Sequence, residues 1–189
     1  AFTNAWSTFH INGGFNAVTE DYNYAFILEG EVGIKVVKMD SEGTVKLVDW
    51  VTQTDINRAL IDWKENHTEE IEDRLQTAFT SNDMTKNIAY HDGVLYLGSG
   101  NGLHALEWNE KQEKVGRRII AGVMYKDYIY GDSRNLMVHK GLLIANDLRR
   151  NRVWDISKVK EGYIGEMDNS YMYASGNSLD SDKKDIIGN

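Results

Sequence analysis

Five histidines and no cysteine limit the chemistry this 189-residue chain can perform. Thiol nucleophiles, zinc–thiolate sites, iron–sulfur clusters and disulfides are excluded together. His91 and His139 recur in similar surroundings, His-Asp-Gly-Val-Leu and His-Lys-Gly-Leu-Leu. Converging imidazoles at a repeated position could ligate a metal in a shared channel. A structural histidine at a strand end is the plainer reading. Gly98-Ser99-Gly100-Asn101-Gly102 has the glycines of a phosphate loop, but no helix, ribose-binding acid or Gly-Lys-Ser/Thr follows, so a hairpin turn is expected. Asp180-Ser181-Asp182-Lys183-Lys184-Asp185 spaces its carboxylates without the glycine and final glutamate of a calcium loop and reads as a solvated tail. Neither a Gly-x-Ser-x-Gly elbow nor triad spacing occurs. No catalytic residue and no cofactor is therefore assigned.

Charge offers a binding hypothesis instead. The net charge is −8, made of −11 over residues 1–110, +7 over 111–160 and −4 over 161–189. An acidic chain repels nucleic acid at long range, so nucleic-acid binding is disfavoured. Within the basic stretch, Arg117, Arg118, Arg149, Arg150 and Arg152 are expected to form a face that docks an acidic protein surface, on a partner or on a second copy. A solvated turn carrying the same arginines is an equal alternative. No stretch approaches the roughly 20 apolar residues a bilayer requires, so no membrane span is expected. Asn66-His67-Thr68 matches a glycosylation sequon, which matters only in a secreted eukaryotic chain.

The elements that would position these residues repeat along the chain. His91-Asp92-Gly93-Val94-Leu95-Tyr96-Leu97, a glycine-rich turn and Leu103-His104-Ala105-Leu106-Glu107-Trp108 read as a β-hairpin. An ungapped shift of 69 lays Tyr24-Ala25-Phe26-Ile27-Leu28 over its first strand and Gly33 over Gly102. A shift of 48 lays His139, Gly141 and Leu143 over His91, Gly93 and Leu95. A shift of 76 lays Asp168, Ser175-Gly176-Asn177 and Leu179 over Asp92, Ser99-Gly100-Asn101 and Leu103, as a fourth, truncated copy. Residues 22–39, 91–108 and 139–156 are thus each expected to form half-buried antiparallel strands, with Asp40-Ser41-Glu42-Gly43 as a further turn. Trp50, Trp108 and Trp154 close strands and should pack the core or a boundary between repeats.

Repeated antiparallel units of 40 to 50 residues predict a mainly β domain of propeller-like repeats, partial or irregular, spanning 1–189. One amphipathic helical insertion is expected over about 54–79, where Ile56, Leu60, Trp63, His67, Ile71 and Leu75 recur at helical spacing, with Thr52 and Asp55 as a capping pair. The uneven spacing leaves three options open. The last copy is partial, the chain is a piece of a larger propeller, or residues 1–20 supply a missing strand.

Asp92 through Leu103 resembles the blade core of quinoprotein-like and two-component-regulator propeller repeats, and Phe26-Ile27-Leu28 through Gly33-Ile34-Lys35-Val36-Val37 is similar to the LVIVD-type surface-protein repeat. The resemblance implies a non-catalytic binding or assembly module with a protein partner or self-association, and it favours an extracellular or cell-surface location. The alternative it implies is a lactonase-like propeller hydrolase holding a divalent cation such as calcium in a central channel. Asn101, Asn146, Asp147 and Asn177, in the repeat turns, are the candidate ligands for that cation.

Overall fold

In a computed structural model the described residues are 15–29, 32–67, 87–98, 102–124, 135–146 and 151–167. They form three antiparallel sheets, each a four-stranded meander in chain order. The first contains β1 (Phe15–Val18), β2 (Tyr24–Glu29), β3 (Gly33–Met39) and β4 (Val45–Thr52). The second contains β5 (Asn87–His91), β6 (Val94–Gly98), β7 (Gly102–Asn109) and β8 (Lys114–Met124). The third contains β9 (Asn135–His139), β10 (Leu142–Asn146), β11 (Asn151–Asp155) and the short β12 (Gly165–Glu166). The three expected hairpins are therefore β2–β3, β6–β7 and β10–β11. Residues 15–18, from the N-terminal segment, supply the first strand of the first sheet. The fourth copy, Asp168 to Leu179, lies outside the described residues.

Local chemistry explains the repeat. Asp92 and Gly93 (φ 46° and 76°) and Lys140 and Gly141 (φ 48° and 77°) make two-residue turns with both positions left-handed, the twist that antiparallel strands favour. At Gly33 and Gly102 the constraint is space: a Cβ would lie 2.1 Å from the Val51 carbonyl oxygen and 2.3 Å from that of Val123. Only glycine lets the fourth strand approach the start of the third so closely. The end of each third strand, or the residue just beyond it, donates an N–H to the turn joining strands one and two. The bonds run from Met39 to Asn23 (3.0 Å), Trp108 to Gly93 (2.8 Å) and Ile156 to Gly141 (3.1 Å).

The strand register corrects the ungapped shift of 69. Gly33 does match Gly102, but Phe26 pairs with Val36 while Tyr96, not Leu95, pairs with Ala105. The pairing of strands two and three is offset by one residue between the two sheets, so β2 matches β6 at a shift of 70. A one-residue slip exchanges the two faces of a strand. Burial alone could not reveal this, because Ala25 and Ile27 are as buried as Phe26 and Leu28.

Strand β5 lies beside both β1 and β9, so the second sheet is packed between the other two. Between the first and second sheets, Tyr24, Phe26, Leu28, Ile34 and Val36 meet Ile88, Leu95, Leu97, Leu106 and Trp108. Between the second and third, Val94, Tyr96, Leu103 and Ala105 meet Leu143, Trp154 and Ile156. The strands expected to be half-buried are consequently buried on both faces in β2 and β6. Trp108 and Trp154 occupy the two boundaries. Trp50 does not: it is 46% exposed, on the outer edge strand β4, and its indole N–H donates to the Val32 carbonyl at 3.2 Å.

The helix α1 (Gln53–Glu65) follows β4 and forms the first part of the expected helical insertion, whose remainder, 68–79, lies outside the described residues. Thr52 caps it, its hydroxyl accepting from the Asp55 N–H while the Asp55 carboxylate accepts from the Thr52 N–H. The chain leaves the helix at Asn66, and residues 68–86 lie outside the described set. Ile56 and Leu60 belong to the first inter-sheet core, so the helix is part of that core as well as an insertion. Trp63 lies over Gly122, where a Cβ would come within 2.8 Å of its ring, and meets His104 edge-on at 5.1 Å.

Leu95, fully buried, tests the core. Leu95→Ala should cost about 2–5 kcal/mol in urea unfolding, whereas Leu47→Ala on the exposed edge should stay within about 0.5 kcal/mol. His104 tests the helix seat. Burial lowers its pKa from 6.5 to about 3. Between those values the unfolded chain takes up a proton that the folded chain refuses, so stability should fall by about 1.4 kcal/mol per pH unit as pH drops below 6.5. Above 6.5 this contribution is flat. Replacing the imidazole in His104→Leu should remove that slope from the pH profile between 6.5 and 5, above the carboxylate range.

Candidate functional site

The turns joining strands one to two and three to four emerge on one side, and polar contacts tie neighbouring sheets together there. The Glu20 carboxylate accepts from the Asp92 N–H at 2.9 Å and lies 3.3 Å from the His91 imidazole. The Asp92 carboxylate in turn accepts from the Lys160 ammonium at 2.8 Å, linking the second sheet to the third. This lysine holds the Asp92 carboxyl below its ordinary range.

This face carries an open depression of about 820 Å³ between the first two sheets, lined by Tyr24, Lys38 and residues 107–113. The β7–β8 connection is a 3-10 turn, Glu110–Gln112, capped by the Asn109 side chain and ended by Glu113 in a left-handed conformation (φ 53°). From there the Glu113 carboxylate reaches the first sheet, accepting from the Tyr24 hydroxyl at 2.9 Å and from the Lys38 ammonium. Lys38 also lies 5.2 Å from the Tyr24 ring centre, and that ring meets Trp108 edge-on at 5.0 Å.

Electrostatics decides what this cluster can do. Hydrogen bonding to Glu113 raises the Lys38 pKa further, and the same contact lowers that of Glu113. Burial raises that of Tyr24. Near neutrality the lysine stays charged, the glutamate ionised and the phenol protonated.

A second cluster, on the outer side, binds the first two sheets and the helix. Arg117 of β8 forms a two-pronged pair with Asp49 of β4, at 2.8 and 2.9 Å, and donates to the Trp50 carbonyl at 3.0 Å. Asp49 also accepts from the Val115 N–H at 2.8 Å, and the helix-capping Asp55 lies 3.9 Å from the Arg117 Nε. Burial alone would raise the Asp49 pKa, but the Arg117 and Val115 bonds outweigh it and leave it lowered.

Of the five arginines expected to form a basic face, three are described. Arg117 is engaged by Asp49, Arg152 is 8% exposed, and Arg118 is exposed on β8. Arg149 and Arg150 lie outside the described residues, as do Asn101, Asp147 and Asn177. Asn146 ends β10. His91 and His139 hold the last positions of β5 and β9, both at the surface. Among the described residues no group of three His, Cys, Asp or Glu is placed to hold a metal. No described helix is long and apolar enough to cross a membrane. Sequence reasoning missed both clusters because Lys38–Glu113 and Asp49–Arg117 join residues 75 and 68 apart. Asp49 alone carried a local sign, as an acid in the apolar run Val-Lys-Leu-Val-Asp-Trp-Val.

No protein-family profile matches the chain, and no curated protein is similar to it. Among solved structures, the AfRom2 CNH domain is similar at a TM-score of 0.36 and 11% identity over 78% of this chain. The chain spans 39% of the length of that structure.

Asp49→Asn should cost about 1–3 kcal/mol in chemical unfolding, less than orphaning a fully buried charge because Arg117 is 38% exposed. Adding Arg117→Met should recover part of that loss. Strict additivity in this double-mutant cycle would show that the pair is not coupled.

Proposed function

We propose that the three sheets are consecutive blades of a β-propeller and that the chain is a non-catalytic binding or assembly module presenting its turn face to a protein partner. The observation that carries this reading is the placement of β1, β5 and β9 side by side, each opening an equivalent four-stranded meander. Blades around a common axis have this arrangement, and their loops gather on the two faces of the disc. The sequence resemblance to propeller repeats supports the same assignment.

The recognition element is the depression between the first two blades. Its mixture of aromatic edges, fixed charges and an exposed 3-10 turn suits a polypeptide surface, with Glu110 and Lys111 at its rim. The ion pair of Lys38 and Glu113 sets the shape of the wall.

Selection from a peptide or protein library with the whole chain tests this reading. Binders should lose about tenfold or more in affinity to a Glu110→Lys/Lys111→Glu variant and none to Ile61→Ser on the helix surface. Equal binding by both variants would move recognition away from the turn face. Turnover of a bound molecule would overturn the non-catalytic assignment.

A further inference from the structure

Tyr24 pairs with Lys38 and Lys38 with Lys46, so the three side chains stand in one row across β2, β3 and β4. The row looks toward the second sheet, because Tyr24 and the neighbouring Phe26 and Val36 belong to the core between the two. Like charges directly opposite on adjacent strands repel, and one carboxylate answers both lysines. It is that of Glu113, which accepts from the Tyr24 hydroxyl at 2.9 Å and from the Lys38 ammonium, while the Lys46 charge also favours its ionised form. Two cations thus share one acid. The Lys38 side chain is still 42% exposed, and Lys46 is exposed and forms no ion pair among the described residues.

The repeat does not require this row. At the corrected shift of 70, Val94 and Glu107 stand where Tyr24 and Lys38 stand, so the second sheet carries an acid at the place of the base. The hairpin does not require Glu113 there either. Its last pair is Asn109 with Lys114, and Glu113 lies in the connection between them, where it can turn away without breaking a strand pairing. At the end of the first-sheet wall, the Asp40 carboxylate is engaged by the Glu42 and Thr44 N–H groups at 2.9 and 2.8 Å. On the opposite wall Glu107 and Glu110 are offset by Lys111 and Lys114, so the surplus of positive charge lies with Lys38 and Lys46.

We propose that Glu113 holds, in the free chain, the place of a carboxylate supplied by the partner. An acidic polypeptide segment laid in the depression puts an aspartate or glutamate side chain against Lys38, Lys46 and the Tyr24 hydroxyl, and Glu113 returns to water. The inference rests on the depression being the recognition element, and it adds the chemistry of the partner. The exchange is cheap in the physical sense that matters: a partly exposed ion pair contributes little, so replacing one carboxylate by another costs little.

Titration of the isotope-labelled full chain with a capped hexaglutamate peptide, followed by amide NMR shifts, tests this. Signals of residues 109–114 and of Lys38 and Lys46 should move, and binding should weaken with added salt. Glu113→Gln should tighten binding about threefold or more. Lys46→Gln, which removes no ion pair of the free chain, should weaken it by a similar factor. A capped hexaglutamine peptide that binds equally well, or a Glu113→Gln chain that binds hexaglutamate no tighter, overturns the proposal. Inorganic phosphate that competes at equal concentration overturns the polypeptide assignment and leaves a simple anion site. Selected partners separate this failure from failure of the reading beneath it. Those that lose affinity to Glu110→Lys/Lys111→Glu yet ignore Glu113→Gln and Lys46→Gln keep recognition at the depression and remove only the acidic partner.

Discussion

The second sheet is apolar on both faces, and that condition governs the rest of the molecule. Leu95 and Leu97 point to one neighbour while Val94 and Tyr96 point to the other, and all four are at most 2% exposed. A sheet of this composition left alone would show water two hydrophobic surfaces, each buried residue forfeiting about 1.5–3 kcal/mol. It therefore requires a layer on each side, and the first and third sheets provide them. The helix answers a related need. Ile56 and Leu60 join the core of the first boundary, and the helix packs on β8 as well as on β3 and β4.

Given that stacking, the glycines carry the geometry. Gly33 and Gly102 fix where the fourth strand ends beside the start of the third, and Gly122 gives Trp63 room to seat the helix against His104. These sites cannot accept a Cβ without moving backbone or a large ring. Pairing register then decides which face of each second strand points to which neighbour. The one-residue offset between the β2–β3 and β6–β7 pairings exchanges the faces, and the sequence tolerates the exchange because both strands are apolar on both sides.

This is also why some features were readable in the sequence and others were not. Strands, turns and the Thr52–Asp55 cap depend on neighbours within a few residues, so Asp92-Gly93, Asp40 to Gly43 and the start of α1 followed from local pattern. The one-residue offset escaped because continuous apolar runs carry no period-two signal. Trp50 looked like a core residue by type and ended exposed because strand order, unknown from sequence, placed it on an outer edge. The partner of Arg117 was hidden for the same reason. Charge along the chain cannot show that Asp49, 68 residues away, will claim Arg117.

The polar ties and the apolar boundaries divide the work between them. Exposed pairs such as Asp92–Lys160 contribute about 0–1 kcal/mol each, too little to hold sheets together. Their effect is angular: they join turns of adjacent sheets at one height, where a small tilt would separate them. The apolar side chains beneath resist separation but slide easily, because hydrophobic contact has no preferred direction. Stability is thus stored between the sheets, while the shape of the turn face is set by a few charged residues above them. Such a face can be rewritten, by exchanging an acid for a base or lengthening a turn, without disturbing the core that supports it. The change from Asp92 to Lys140 at equivalent turns is one such rewriting, in which the two-residue backbone conformation is kept and the charge reversed.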